Sequence, residues 1–300
     1  MKVLVTGGAG FLGSHVVDAL VQRGDQVTVI DNLRRGSLVN LNGHLAAARA
    51  TMLTDDIRDY DAVIRALDGA ELVFHLAAQS NVMGAMQDPD YSFTTNVVGT
   101  YNVLKAASEA GVRRVVFSSS REVYGEPDSI PVPETAPLAP KSFYGASKVA
   151  GEAYCRVWRR AGGPECQVLR FANLYGPRDR DRVIPLWIAR ARAGEPLQMY
   201  GGEQELDFVW VGHCVSALLA AADCPEHGPI NIGSGQGTRL RDLARRITEL
   251  TGSRSTTQLL PGRDAEVVRF VAEVSRMRDV LRVEPGTEPL DGLPALVAPA

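Results

Sequence analysis

Cysteine and histidine are both scarce in this 300-residue chain, and their scarcity excludes a good deal of chemistry. The four cysteines (Cys155, Cys166, Cys214, Cys224) never fall in CxxC spacing and the five histidines are scattered, so no metal site is expected. The same usage points to reduced, mostly buried thiols of a cytoplasmic protein rather than a disulfide-braced scaffold. Excess charge of one sign is missing too. A net charge of −3 argues against a nucleic-acid or membrane partner and leaves any anionic ligand to local arginines. Long apolar runs are absent: Val215 to Ala222 is far too short to span a bilayer, and the N-terminal run is too short for a signal peptide. There is no internal repeat and no low-complexity tract.

What is there is an ordinary globular composition, 45% hydrophobic and 22% charged, enough for one large α/β unit or two joined domains. The chain is organised around Met1 to Asp31. An apolar run, Lys2-Val3-Leu4-Val5, leads into Thr6-Gly7-Gly8-Ala9-Gly10-Phe11-Leu12-Gly13, followed by helical spacing of Val16, Val17, Leu20 and Val21. Gly24 ends that helix, and Gln26 to Ile30 reads as a second strand closing on Asp31. Strand, glycine turn, helix, strand and acid are what a dinucleotide site needs. Glycines let the backbone approach a pyrophosphate at a helix N-terminus, and the acid accepts from the ribose hydroxyls. Asp31 would repel a 2′-phosphate and so favours NAD over NADP, a preference softened by Arg34 and Arg35.

Further strands are expected at 50–57, at 71–78, at 114–120 and at 167–171, with helices over 60–67, 91–110 and 142–160 between them. This alternation predicts a Rossmann-type α/β fold: a parallel sheet with helices on both faces and ligands beyond the strand C-termini. His75 lies inside an apolar run and reads as a satisfied core histidine. Past Pro177 the pattern is less regular, with short strands near 199–200, 206–211 and 229–232 and a helix over 240–250. The expected division is a dinucleotide-binding domain over 1–173, with 207–234 returning to it, and a smaller substrate lobe over 174–206 and 235–300.

Tyr144-Gly-Ala-Ser-Lys148 places an acid/base candidate and an ammonium on one helical face. A free tyrosine titrates near about 10, so work as a base at neutral pH needs a stabilised phenolate, which a lysine and a positively charged nicotinamide would both favour. With the serines that close the 114–120 strand, the chain resembles the extended short-chain dehydrogenase/reductase family, in particular its nucleotide-sugar epimerases and dehydratases. The resemblance also rests on Asp31-Asn32-Leu33, His75-Leu76-Ala77-Ala78, Ser118-Ser119-Ser120 with Val123-Tyr124-Gly125, and Arg170-Phe171-Ala172-Asn173 with Tyr175-Gly176-Pro177.

That resemblance implies bound NAD, a UDP- or dTDP-linked sugar as substrate, and a homodimer pairing the helices near 91–110 and 143–160. Cofactor contacts are then expected from Gly7, Gly10, Phe11, Leu12, Gly13, Asp31, Asn32, Gly36, Asp56, Ile57, Leu76, Ala77, Ala78, Asn96, Ser118 and Ala172, with Tyr144 and Lys148. Substrate contacts are expected from Ser80, Ser120, Tyr144, Asn173, Val183, Tyr200 and Arg263, Tyr200 reading equally as a packing aromatic. Arg178, Arg180 and Arg182, interleaved with Asp179 and Asp181, read as a solvated loop. By the same resemblance Tyr144 takes the sugar O4 proton, Ser120 bonds that oxygen, and Lys148 holds the nicotinamide ribose.

Two departures stand out. Leu206 replaces the arginine with which many relatives grip the diphosphate, and His213 replaces a usual acid. Arg121-Glu122 stands where many 4-epimerases carry small residues. On an extended strand Glu122 would share the face of Ser120 and serve as a C5 base for a 4,6-dehydratase; the other reading pairs it with Arg121 outside the site. A nucleotide-sugar 4-epimerase is therefore expected, with a dehydratase as the alternative. A reductase that releases NADH and a non-catalytic NAD sensor are further readings, disfavoured by Asp31 and by the Ser120–Tyr144–Lys148 set respectively.

Overall fold

Strands that are apolar on both faces belong in the middle of a helix–sheet–helix sandwich, and the first half of the chain supplies several. The structure, a computed structural model, describes residues 1–298. Its strands are β1 (Lys2–Thr6), β2 (Gln26–Ile30), β3 (Ala50–Leu53), β4 (Leu72–His75), β5 (Arg114–Ser120), β6 (Glu165–Phe171), β7 (Asn173–Tyr175), β8 (Leu197–Tyr200), β9 (Glu205–Trp210), β10 (Pro229–Ile232), β11 (Gly237–Arg239), β12 (Thr257–Leu260) and β13 (Arg269–Phe270). Seven form one wholly parallel sheet in the order β10-β6-β5-β4-β1-β2-β3. The strand order reverses between β1 and β4, which opens a crevice at their C-terminal ends.

Side-chain alternation divides the core. Val3, Val5, Leu72, Phe74 and Val116 point to one face, where helices Phe11–Arg23 and Val211–Ala221 add Val16, Val17, Leu20, Cys214, Ala217 and Leu218. Leu4, Val73, Val115 and Phe117 point to the other, under helices Tyr60–Ala66, Gly99–Glu109 and Phe143–Arg160. Each fully buried Val, Leu or Phe contributes about 1.5–3 kcal/mol, so both layers are strongly held. His75 is in this core as expected: its two ring nitrogens meet the hydroxyls of Thr6 (2.8 Å) and Thr100 (2.9 Å), and burial pushes its pKa down to about 3.

The second lobe has its own core, in which Trp187 and Ile188 of helix Val183–Ala193 meet Leu243 and Ile247 of helix Leu240–Thr251. β9 pairs with β7, β11 and β13, and β8 pairs with β12. Within 207–234, helix Val211–Ala221 packs on the large sheet and β10 joins its edge, while β9 pairs with β7, β11 and β13. Asp207 lies in β9. Its buried carboxylate accepts from Ser234 N and Oγ (both 2.7 Å), Gly235 N (3.0 Å) and Ala272 N (3.1 Å), which ties β9 to the segments after β10 and β13.

Three expected elements differ in extent. The 50–57 strand stops at Leu53. The 71–78 strand stops at His75, because the N–H groups of Leu76 and Ala77 turn to the Thr6 hydroxyl (3.2 and 3.1 Å). The 91–110 helix is three consecutive segments, Pro89–Phe93, a π-helical Thr94–Val98 and Gly99–Glu109. π-Turns of this kind often accompany a side chain with work to do outside the helix. Here Asn96 bonds the backbone of Gln79 and the Ser147 hydroxyl.

Candidate active site

At the end of β1 the backbone turns so tightly that side chains have no room. A Cβ on Gly13 would stand 2.1 Å from the Gly7 carbonyl oxygen, and Gly7 itself has φ +72. No side chain caps the following helix, so its first N–H groups, which have no intrahelical acceptor, are left for an anion. Across the turn Asp31 is buried and accepts from Ala9 N (3.0 Å) and Leu33 N (2.8 Å). Burial raises its pKa against the opposing pull of those two N–H groups. An uncapped helix end beside a side-chain-free turn and an oriented carboxylate fits a dinucleotide, and no larger residue could stand at Gly13.

The same crevice, about 1020 Å³ in volume, runs from this turn to the second lobe. Gly7, Gly10, Phe11, Leu12, Gly13, Asp31, Asn32, Gly36, Asp56, Ile57, Leu76, Ala77, Ala78, Ser118 and Ala172 line it, as do Ser80, Ser120, Glu122, Tyr144, Lys148, Asn173, Val183, Tyr200 and Arg263. Asn96, expected to contact the cofactor, is not among the residues that line it. Its amide is buried and committed to Gln79 and Ser147, so it braces the wall of the cleft from behind.

Tyr144 sits in the first turn of helix Phe143–Arg160, capped by Ser142, whose hydroxyl accepts from Gly145 N at 3.1 Å. Gly145 is required there, because a Cβ would lie 2.5 Å from the Glu122 carbonyl oxygen. One helical turn on, Lys148 donates to the Ser118 carbonyl at 2.8 Å, with its ammonium 5.8 Å from the Tyr144 ring centroid. Burial pushes the Tyr144 phenol up to about 12, partly countered by its hydrogen bond with Ser120. The Ser120 hydroxyl oxygen accepts from Glu122 N at 3.2 Å, which orients it and leaves its O–H free to donate.

Burial pulls Lys148 down to about 8, against about 10.4 for a free lysine. Between those values the unfolded chain binds more protons, so this group's cost is full below about pH 8 and disappears as pH rises toward 10.4. Lys148→Met should therefore stabilise the cofactor-free protein at pH 7 by about 1 kcal/mol or more while removing activity, as denaturant melts and turnover assays on the same preparation can check.

Glu122 does not occupy an extended strand. The chain turns into a short 3₁₀ segment, Arg121–Val123, straight after Ser120, so the two side chains do not share a strand face. Glu122 instead pairs with Arg121 at 3.0 Å, and both residues are buried and line the cleft rather than lying outside it. Tyr200 acts as a platform, with the Arg263 guanidinium 3.4 Å above its ring centroid.

The loop from Arg178 to Arg182 is partly solvent-exposed, with Arg180 and Asp181 outermost, and also borders the cleft. Arg178 is tied to Asp18 (2.8 Å), and Arg182 lies over the Phe11 ring at 5.3 Å while bonding Asp179. Arg35 bridges the mouth, reaching Ser80 Oγ (3.0 Å) and Asp181 (2.9 Å). Sequence reading missed these pairs, and Arg190 and Trp187 in the far wall, because charge alternation in a loop carries no record of what it folds against.

With this geometry in place, comparison with known proteins is direct. The model of the NAD dependent epimerase/dehydratase family matches residues 3–233. The UDP-glucose 4-epimerase of Mycolicibacterium smegmatis is 35% identical, over 98% of this chain and 96% of that protein. The Thermotoga maritima UDP-glucose 4-epimerase structure with UDP-glucose superposes with a TM-score of 0.94 at 35% identity, covering 99% of this chain and 97% of that one. The dTDP-glucose 4,6-dehydratase of Streptomyces venezuelae, with NAD and TYD bound, also gives 0.94, at 32% identity over 99% and 96%. A glycine turn built for a dinucleotide, a buried serine–tyrosine–lysine set and similarity along nearly the whole length place the chain in the NAD dependent epimerase/dehydratase family.

Proposed function

We propose that the chain is a nucleotide-sugar 4-epimerase acting on a UDP-linked hexose or hexuronate. The observation that carries this reading is the convergence of Ser120, Tyr144 and Lys148 on one crevice with the glycine turn and Asp31. NAD, when bound, supplies a reversible hydride acceptor for C4 of the sugar. Gly7 to Gly13 with the helix N-terminus hold its pyrophosphate, and Asp31 holds the adenosine ribose. Tyr144 accepts the O4 proton and later returns it, Ser120 donates to the same oxygen, and Lys148 places a positive charge beside the phenol. Asn173 at the end of the first domain and Val183, Tyr200 and Arg263 of the second lobe face the nucleotide diphosphate.

An NDP-sugar 4,6-dehydratase with Glu122 as C5 base is the second reading, favoured by one observation: Glu122 lines the cleft with its Oε2 buried and unpartnered. Against it, Oε1 is engaged by Arg121, and no aspartate stands beside it to protonate a leaving 6-hydroxyl. Incubation with UDP- and dTDP-sugars in deuterated water decides between them. The epimerase reading expects a C4 epimer with no deuterium on carbon; a 4-keto-6-deoxy product deuterated at C5 or C6 would replace it with the dehydratase.

The working unit we propose is a homodimer in the cytoplasm. Tyr101, Tyr154 and Val157 are exposed at 40%, 38% and 59% on the outer faces of helices Gly99–Glu109 and Phe143–Arg160, with Tyr101 against Tyr154 and Trp158. A continuous aromatic face of this kind is what a second copy would cover. Val157→Glu is expected to yield monomers in sedimentation velocity, and an unchanged dimer would exclude this face. The four cysteines are unpaired and buried, in keeping with a reducing compartment. Among the described residues no helix is long and apolar enough to cross a membrane.

A further inference from the structure

The loop 177–182 makes a set of contacts around the crevice that the chemistry of Ser120, Tyr144 and Lys148 does not use. From β7 the chain runs along the first turns of helix Phe11–Arg23. Gly176 lies against the Phe11 ring, where an added Cβ would stand 3.6 Å from it. The Pro177 carbonyl accepts from His15 Nε2 at 3.0 Å, and Arg178 pairs with Asp18 at 2.8 Å. Asp18 also meets His44 Nε2 at 2.7 Å, so one carboxylate gathers helix Phe11–Arg23, the short helix Asn42–Ala46 and the loop. Further on, Arg182 lies over the Phe11 ring while Asp181 meets Arg35 at 2.9 Å. Arg35 completes the circuit by donating to Ser80 Oγ at 3.0 Å.

Four segments, following β1, β2, β4 and β7, are thus joined around the crevice that holds the uncapped helix N-terminus. The Arg35–Asp181 pair stands on its solvent side, with side chains 36% and 59% exposed, whereas Gly13 at the turn is buried. A dinucleotide laid along the glycine turn would have this belt between itself and bulk water.

We propose that the belt retains the dinucleotide from one turnover to the next, with Asp18, Arg35 and Asp181 as positioning residues that fasten the loop. The proposal deepens the epimerase reading and rests on it for the need. The hydride taken from C4 has to return to the same sugar, so a cleft that let reduced cofactor escape mid-cycle would leave a 4-ketose behind. Exposed ion pairs are individually weak and screened by salt, so retention is the sum of several small contributions. Asp18 is not among the residues that line the crevice, so its effect on cofactor release has to pass through the elements it pins.

The test is the rate at which bound NAD leaves the purified holoprotein without sugar, followed as loss of radiolabelled NAD against excess unlabelled NAD. Asp18→Asn and Asp181→Asn should each raise that rate about threefold, and D18N/D181N about tenfold. Raising salt from about 0.05 M to about 0.5 M should speed release from the wild type and speed it much less from the double variant. His44→Gln loosens helix Asn42–Ala46 but spares Arg178, and should leave the rate nearly unchanged. Release from D18N/D181N at the wild-type rate overturns the proposal. So does a wild type that loses its NAD on a desalting column, or a His44→Gln effect equal to that of Asp18→Asn. Slow release from the wild type and fast release from the double variant, with no turnover of any nucleotide sugar, would support the belt and end the epimerase reading.

Discussion

Tyr144→Phe should lower kcat by about 10³-fold, within the range that a positioned general base supplies. The substitution removes one oxygen and keeps the buried ring, so folding and NAD retention should be unaffected. In the cofactor-free protein burial holds the phenol near about 12, and it carries no negative charge at neutral pH. Activity therefore depends on positive charge brought beside it. Since the working form is the phenolate, the rate should rise with pH through the phenol's apparent pKa, and removal of the Lys148 charge should move that rise to higher pH. The checks are kcat, NAD content after purification and a pH–rate profile. Turnover within tenfold of wild type would mean that another group takes the O4 proton.

The second large effect lies beneath the site. Arg170 on β6 meets Glu152 of helix Phe143–Arg160 through two contacts, Nη2 to Oε2 at 2.7 Å and Nε to Oε1 at 2.9 Å. Ser119 donates to the same carboxylate at 2.6 Å, and Arg170 also bonds the Tyr124 hydroxyl and the Glu134 carbonyl. Both charged residues are buried. Arg170→Met leaves Glu152 ionised without its partner and should cost about 3–5 kcal/mol, read as a shift in the denaturant midpoint. The combination Arg170→Met with Glu152→Gln should recover much of that loss, because a neutral pair carries little desolvation cost. A loss under about 1 kcal/mol for the single change would show that water reaches the carboxylate. The network holds the catalytic helix against β5 and β6, so a partial loss of activity should accompany the loss of stability.

Both experiments fall on residues whose motifs were visible in the sequence but whose surroundings were not. Tyr144 and Lys148 could be placed on one helical face by spacing, and β5 could be bounded to the residue, because both follow from local periodicity. The glycine turn was equally legible, since steric exclusion at Gly7 and Gly13 is a property of the backbone. By contrast the reading of Glu122 assumed an extended strand. The chain instead turns after Ser120, whose own hydroxyl accepts from Glu122 N, and Gly145 of helix Phe143–Arg160 lies against the Glu122 carbonyl.

The amino-acid sequence by itself determined the parallel sheet, the dinucleotide turn and the placing of Tyr144 and Lys148 on one helical face, because these depend on periodicity, on missing Cβ atoms and on spacing within single elements. Only the tertiary structure decided that Asn96 braces the wall from behind, that Arg182 lies over Phe11, that β9 stays with the second lobe, and that Arg121 and Glu122 are buried together in the cleft. Each of those outcomes joins residues far apart in the chain or depends on what a distant element packs against. Burial and charge pairing are set by the whole fold, and no run of neighbouring residues records them.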